Sequence, residues 1–137
     1  MKTERARAII LHNDKILMIQ RLRTDSEYYV LPGGKLEEGE SPEITVMREV
    51  KEETSLNTKF IKKLDSLIDK DGTIHHIYLC EYISGVPKLT VDSPEVAEAS
   101  DGNIYTPMWT DIETIPNLQI WPAEAKTFLL NYLKVKI

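Results

Sequence analysis

Glu49, Glu52 and Glu53 crowd into little more than one helical turn, with Arg48 directly before them and Glu40 upstream. On a helical wheel the three carboxylates share one sector. Like charges this close repel at neutral pH, and an ordinary solvated helix face would interleave them with lysines. Arg48, four residues before Glu52, relieves part of that repulsion, and Glu40 can fold back as a fourth acid. A hard divalent cation is the other remedy. Magnesium or manganese takes oxygen ligands and itself binds phosphate oxygens. On charge pattern alone, a solvated acidic face and a metal site both fit.

The flanking residues set these acids on a helix. Ser41 suits an N-cap and Pro42 the first helical position. Beyond them Ile44, Met47 and Val50, continued by Thr54, form an apolar line predicted to be the buried side, away from the glutamates. Gly33-Gly34 reads as a turn leading into the segment.

Taken whole, Gly34 to Leu56 resembles the Nudix box. Gly34, Glu40, Arg48, Glu49, Val50, Glu52, Glu53 and Leu56 stand at the spacing of that motif, and Leu31-Pro32-Gly33 resembles its usual lead-in. The departure is Ser55, where the family has a glycine that ends the helix in a left-handed conformation. All the carboxylates lie upstream of it.

The resemblance implies an α/β fold, a Nudix α/β/α sandwich with a mixed β-sheet between helices, formed by residues 1–137 as a single domain. It implies a MutT-like pyrophosphohydrolase that uses Mg2+, with Mn2+ as a substitute, to cleave the diphosphate linkage of a nucleotide. In the family's manner Glu49, Glu52 and Glu53 would hold the metal, joined by the backbone of Gly33. Arg48 would orient the glutamates, and a loop glutamate, Glu98 or Glu95, would add a ligand or base. Arg21, Arg23, Tyr29, Gly34 and Lys35 would meet the substrate, with Tyr28 a further stacking candidate. The chain's size resembles the group acting on nucleoside triphosphates, some oxidised. ADP-ribose or a nucleotide sugar is the rival substrate, and a non-catalytic nucleotide-binding module the rival class. Partners would be small-molecule nucleotides.

Composition sets the outer limits. Of 137 residues, 42% are hydrophobic and 28% charged, with a net charge of -5, as in a globular protein. Basic residues are scattered, which argues against binding long nucleic acid. Nothing reads as a signal peptide or a membrane span. One cysteine, Cys80, excludes an internal disulfide. These features lead us to expect a cytoplasmic protein, a monomer or homodimer with no membrane partner.

In chain order, Ala6 to Leu11 predicts a strand, His12-Asn13-Asp14 a turn with His12 on the surface, and Lys15 to Arg21 a second strand of a hairpin. Thr24 to Tyr28 reads as a loop, and Tyr29 to Leu31 as a brief strand. After the acidic helix come an irregular strand from Phe60 to Ile68, a turn at Asp69 to Gly72, and a partner strand from Ile74 to Ile83. His75 and His76 must point to opposite faces there, so both cannot ligate one metal, though one could line a cleft. Leu89 to Val91 reads as a short extended piece, and the acidic stretch Asp92 to Asn103 as a loop over the site. Ile104 to Trp109 predicts another strand. Pro122 starts a final helix whose stripe of Ala125, Phe128, Leu129, Tyr132 and Leu133 covers the sheet. Trp121 and Phe128 are more safely packing residues than base contacts.

Overall fold

In β1, Glu4–His12, five consecutive residues from Ala6 to Ile10 are buried, the mark of a strand covered on both faces. It is the centre of the computed structural model, which describes residues 3–88 and 104–134. Asn13 and Asp14, at φ 50° and 62°, turn the chain into β2, Lys15–Arg23. There follow β3 (Ser26–Val30), β4 (Gly33–Lys35), α1 (Pro42–Thr54), β5 (Asn57–Ile68) and β6 (Ile74–Ser84). After 89–103 come β7 (Ile104–Asp111), a 3-10 helix (Ile112–Asn117) and α2 (Ala123–Leu133). The expected extended piece at Leu89 and the loop from Asp92 lie outside the described residues.

The sheet runs β3-β2-β1-β6-β5, with β4 also on β1 and β7 also on β2. β1 is parallel to β6, and the other pairings are antiparallel, so the sheet is mixed. Two core clusters cover its faces. Ala6, Ala8 and Ile10 of β1 meet Val46 and Val50 of α1. On the other side Ile9 joins Met18, Ile77, Ile115 and Leu129 under the 3-10 helix and α2. This is the α/β/α sandwich predicted above. Cys80 lies in the first cluster, where burial pushes its thiol up to about 11 and leaves it an inert core residue.

One feature of register makes room for a site. β1 and β2 pair directly beside their turn, at Leu11–Ile16 and His12–Lys15. Farther from the turn β1 takes β4 instead, Arg5 to Arg7 opposite Lys35 to Gly33, while β2 takes β3. The two strands therefore part, and Arg5, Arg7, Arg21 and Arg23 stand on the parted segments.

The structure corrects three local expectations. Ser26–Val30 is a strand, not mostly loop, since hairpin pairing from Ile19–Val30 to Arg23–Ser26 recruits a polar segment that shows no core pattern. Gly33-Gly34 is not a turn but part of β4, whose close approach to Ala6 a side chain would block. The apolar line on α1 is right at Val50 and Thr54 and partly at Met47, but Ile44 is 58% exposed, and the buried side also takes in Thr45, Val46, Glu49 and Glu53. Two of the acids thus sit on the inward face.

The ends of α1 form as predicted. Ser41 Oγ accepts the Ile44 N–H at 3.2 Å with Pro42 behind it, and Ser55 closes the helix at φ 61°. Ser55 Oγ also donates to the Lys88 carbonyl at 2.7 Å. A left-handed non-glycine residue costs about 1–2 kcal/mol, and an exposed hydrogen bond returns about 0.5–1.5 kcal/mol. Ser55→Gly trades one for the other and should leave stability within about 1 kcal/mol. Ser55→Ala keeps the strain and loses the bond, so urea denaturation should show it about 1 kcal/mol less stable than wild type. Equal stability of the alanine variant would show that the Lys88 bond contributes nothing.

Candidate active site

A cavity of about 1070 Å³ opens where β1 and β2 part. β1 contributes Arg5 and Arg7, β2 Arg21 and Arg23, and β4 Gly33, Gly34 and Lys35. In each arginine pair the residues are two apart on a strand, hence on one face. α1 contributes Glu49 and Glu53. The cavity is therefore bipolar, with cations from three strands facing two carboxylates from the helix.

Burying Glu49 (8% exposed) and Glu53 (4%) is costly for a charged group, so each must be held by polar partners. Glu53 Oε1 accepts the Gly33 N–H at 2.6 Å. Glu49 lies against Gly34, where a Cβ would stand 2.6 Å from its Oε1, and that oxygen accepts from Arg48 Nη1 at 3.0 Å. Arg48 grips Glu40 with two bonds, Nε to Oε2 at 2.8 Å and Nη2 to Oε1 at 3.0 Å. The same Nη1 reaches Glu52 Oε2 at 3.3 Å. Arg48 thus ties Glu40, Glu49 and Glu52 together. The Arg48 bonds, with the Glu37 N–H, hold the Glu40 carboxyl down at about 2, and the Glu40 bonds in turn raise Arg48.

Oxygen donors suit a hard cation, but the three expected ligands do not converge. Among the described residues no three His, Cys, Asp or Glu side chains come together to ligate one ion. Glu52 stands off the cavity wall, on Arg48. Glu49 and Glu53 remain, and two carboxylates fit magnesium, which commonly takes one or two and completes its shell with water and substrate phosphate. The Gly33 N–H points to Glu53. Glu95 and Glu98 lie outside the described residues.

Of the other candidates, Arg21, Arg23, Gly34 and Lys35 line the cavity. Arg21 lies over the rings of Tyr105 (4.2 Å to the centroid) and Tyr28 (5.3 Å), and its Nη2 bonds the Tyr105 hydroxyl. Tyr29 is not among the residues that line the cavity. Alternation along β3 sends Tyr28 inward and Tyr29 to the second core cluster, where its hydroxyl meets Gln20 and Glu27. Trp121, 38% exposed, lines the cavity after all, while Phe128 packs against the core. His12 is exposed, as expected. Neither His75 nor His76 lines the cavity.

Arg5 and Arg7 were not singled out from the sequence. Their signal was there: two arginines at alternate positions of a strand otherwise apolar. Arg7 is 3% exposed and burial lowers its guanidinium to about 10, with Arg5 adding to the shift and Glu53 opposing it. It remains charged at neutral pH.

Comparison with known proteins identifies the family. A NUDIX domain model matches residues 2–131. An ADP-ribose pyrophosphatase of Bacillus subtilis (strain 168) is 28% identical over 128 residues, 89% of this chain and 66% of that protein. An ADP-ribose pyrophosphatase of Methanocaldococcus jannaschii is 37% identical over 117 residues, 78% of this chain and 66% of its own length. The chain thus spans just under two thirds of both. Among solved structures, the E. coli ORF135 protein superposes with TM-score 0.69 at 22% identity, covering 98% of this chain and 91% of that one.

Proposed function

The chain belongs to the Nudix family, and from that premise we propose that it is a Mg2+-dependent pyrophosphohydrolase converting a nucleoside triphosphate and water to the monophosphate and pyrophosphate. The observation that carries the reading is the bipolar cavity, with Glu49 and Glu53 on one wall and Arg5, Arg7, Arg21, Arg23 and Lys35 on the others. A phosphoanhydride resists water because its own charges repel a nucleophile, and a bound divalent ion neutralises those oxygens and orients the water.

The residues divide that work. Glu49 and Glu53 would hold the ion, with Arg48 fixing Glu49 and the Gly33 N–H fixing Glu53. The arginines and Lys35 would take phosphate oxygens. Tyr28 and Trp121 offer aromatic surface to a base. Five cations favour a triphosphate, with about four negative charges, over the two of a diphosphodiester. A second reading, ADP-ribose or a nucleotide sugar, draws support from the names of the two relatives above.

The test is a turnover screen with magnesium and with manganese over ordinary and oxidised nucleoside triphosphates, ADP-ribose and nucleotide sugars, with products identified by mass. Monophosphate and pyrophosphate from triphosphates is the expected result. Cleavage of ADP-ribose with triphosphates untouched would overturn the substrate and keep the metal site. Metal binding without turnover of any compound would favour a binding module.

A further inference from the structure

Behind the cavity wall lies a buried chain of three polar side chains. Asp69 is 7% exposed, His75 0% and Arg7 3%. Arg7 Nε donates to His75 Nδ1 at 3.0 Å, and His75 Nε2 lies 2.9 Å from Asp69 Oδ2. An arginine Nε–H can only donate, so His75 Nδ1 must be the accepting, unprotonated nitrogen. The ring proton then sits on Nε2 and is donated to Asp69. The other Asp69 oxygen, Oδ1, accepts the N–H groups of Asp71 and Thr73, at 2.9 and 3.0 Å. Each link fixes the next: the β5–β6 turn fixes Asp69, Asp69 the tautomer of His75, and His75 the guanidinium of Arg7.

Arg7 Nη1 donates to the Leu31 carbonyl at 3.0 Å, and the guanidinium lies 5.5 Å from the centre of the Trp121 ring. Nη2 has no hydrogen-bond partner among the described residues, and Arg7 lines the cavity. The fold uses two of its donors, on His75 and Leu31, and leaves the third for the cavity. A guanidinium held on two sides, stacked on a third and aimed into a cavity suits a bidentate or charge-assisted bond to an oxyanion.

The geometry points to Arg7 as a pre-aligned binding residue for a substrate phosphate, with His75 and Asp69 as the positioning residues that aim it. The inference rests on the cavity being a phosphate site, as proposed above, and it assigns work to two side chains that never reach the substrate.

Asp69→Asn is a sharp probe because it leaves the cavity untouched. Two backbone N–H groups demand the amide oxygen at the Oδ1 place, which forces the NH2 toward His75. His75 must then accept at Nε2 and carry its proton on Nδ1, where it faces the Arg7 donor. An asparagine in this relation is known to hold the wrong histidine tautomer. Two readouts serve, neither of them turnover: 15N chemical shifts of the His75 ring, and binding of inorganic pyrophosphate with magnesium by calorimetry.

The wild type should show the neutral Nε2–H tautomer. Asp69→Asn should reverse it and weaken pyrophosphate about tenfold, and Arg7→Lys, which keeps charge but loses the fixed fork, should weaken it at least as much. Melting curves show whether each variant folds, and either one that does suffices. Pyrophosphate affinity within twofold of wild type in a folded variant would reduce the chain to a structural device and overturn the inference, as would an Nδ1–H tautomer in the wild type or a wild type that does not bind pyrophosphate. A protein that turns over no nucleotide, yet loses pyrophosphate on Arg7→Lys, would sink the proposed reaction and keep the anion site.

Discussion

Glu53→Gln is expected to lower kcat by at least 10²–10³-fold, on the order of losing a preorganised electrostatic partner of the transition state, while the protein stays folded. Glutamine keeps an oxygen for the Gly33 N–H, which Glu53 Oε1 now accepts at 2.6 Å, and it fills the same volume on the buried arc of α1. What it removes is the charge. Among the described residues Glu49 is the other carboxylate on the cavity wall, so magnesium would lose one of the two ligands proposed for it there. Magnesium titrations should therefore show weaker metal dependence alongside the lost turnover. Glu52→Gln should cost much less, because Glu52 meets Arg48 and not the cavity. Full activity in Glu53→Gln would remove this residue from the metal site, and an equal or greater loss in Glu52→Gln would return Glu52 to it.

That ranking could not be drawn from the sequence, and the reason is physical. Local sequence located the helix, its Ser41 cap and the membership of the acidic cluster, because each depends on neighbours along the chain, and the family resemblance implied its end at Ser55. Which side of the helix is buried depends on what it packs against. Apolar periodicity placed all the glutamates outward, whereas Glu49 and Glu53 occupy the inward arc beside Val46 and Val50. Local rules fail at such a place because the site needs charge where the core would take an aliphatic residue. Tyr28 and Tyr29 show a second limit. Alternation tells that they face opposite ways, but the choice between them needs the register of β3 on β2, and the polar segment gave no sign of being a strand. The third limit is distance. Arg7 and His75 are 68 residues apart and meet because β1 and β6 run parallel, with Arg5 opposite His75. Nothing in either segment announces that pairing, so the arginines of β1 and the turn at Asp69 read as unrelated.

The adjacent glycines of β4 separate fold from chemistry by what a methyl group would strike. At Gly33, with φ at 154°, a Cβ would stand 2.0 Å from the Ala6 carbonyl oxygen and 2.8 Å from Arg7 Cα. Both are backbone atoms of the central strand and cannot yield without undoing the β1–β4 pairing. Backbone strain and overpacking each cost about 1–3 kcal/mol, so Gly33→Ala should lose about 3 kcal/mol or more in urea denaturation, with activity falling as β4 lets go of Glu53. At Gly34 the nearest atoms are Glu49 Oε1 at 2.6 Å and Cδ at 2.7 Å, the far end of a flexible side chain. Gly34→Ala should therefore push the Glu49 carboxylate off the cavity wall while the sheet survives. Stability should change by about 1 kcal/mol, and turnover should drop on the order of 10²-fold, the scale set by a displaced ligand or its support. Loss of stability at Gly34 as severe as at Gly33, or an active Gly34→Ala enzyme, would contradict this division. The first would mean that Glu49 is held too rigidly to move, and the second that its carboxylate is not needed where the structure puts it.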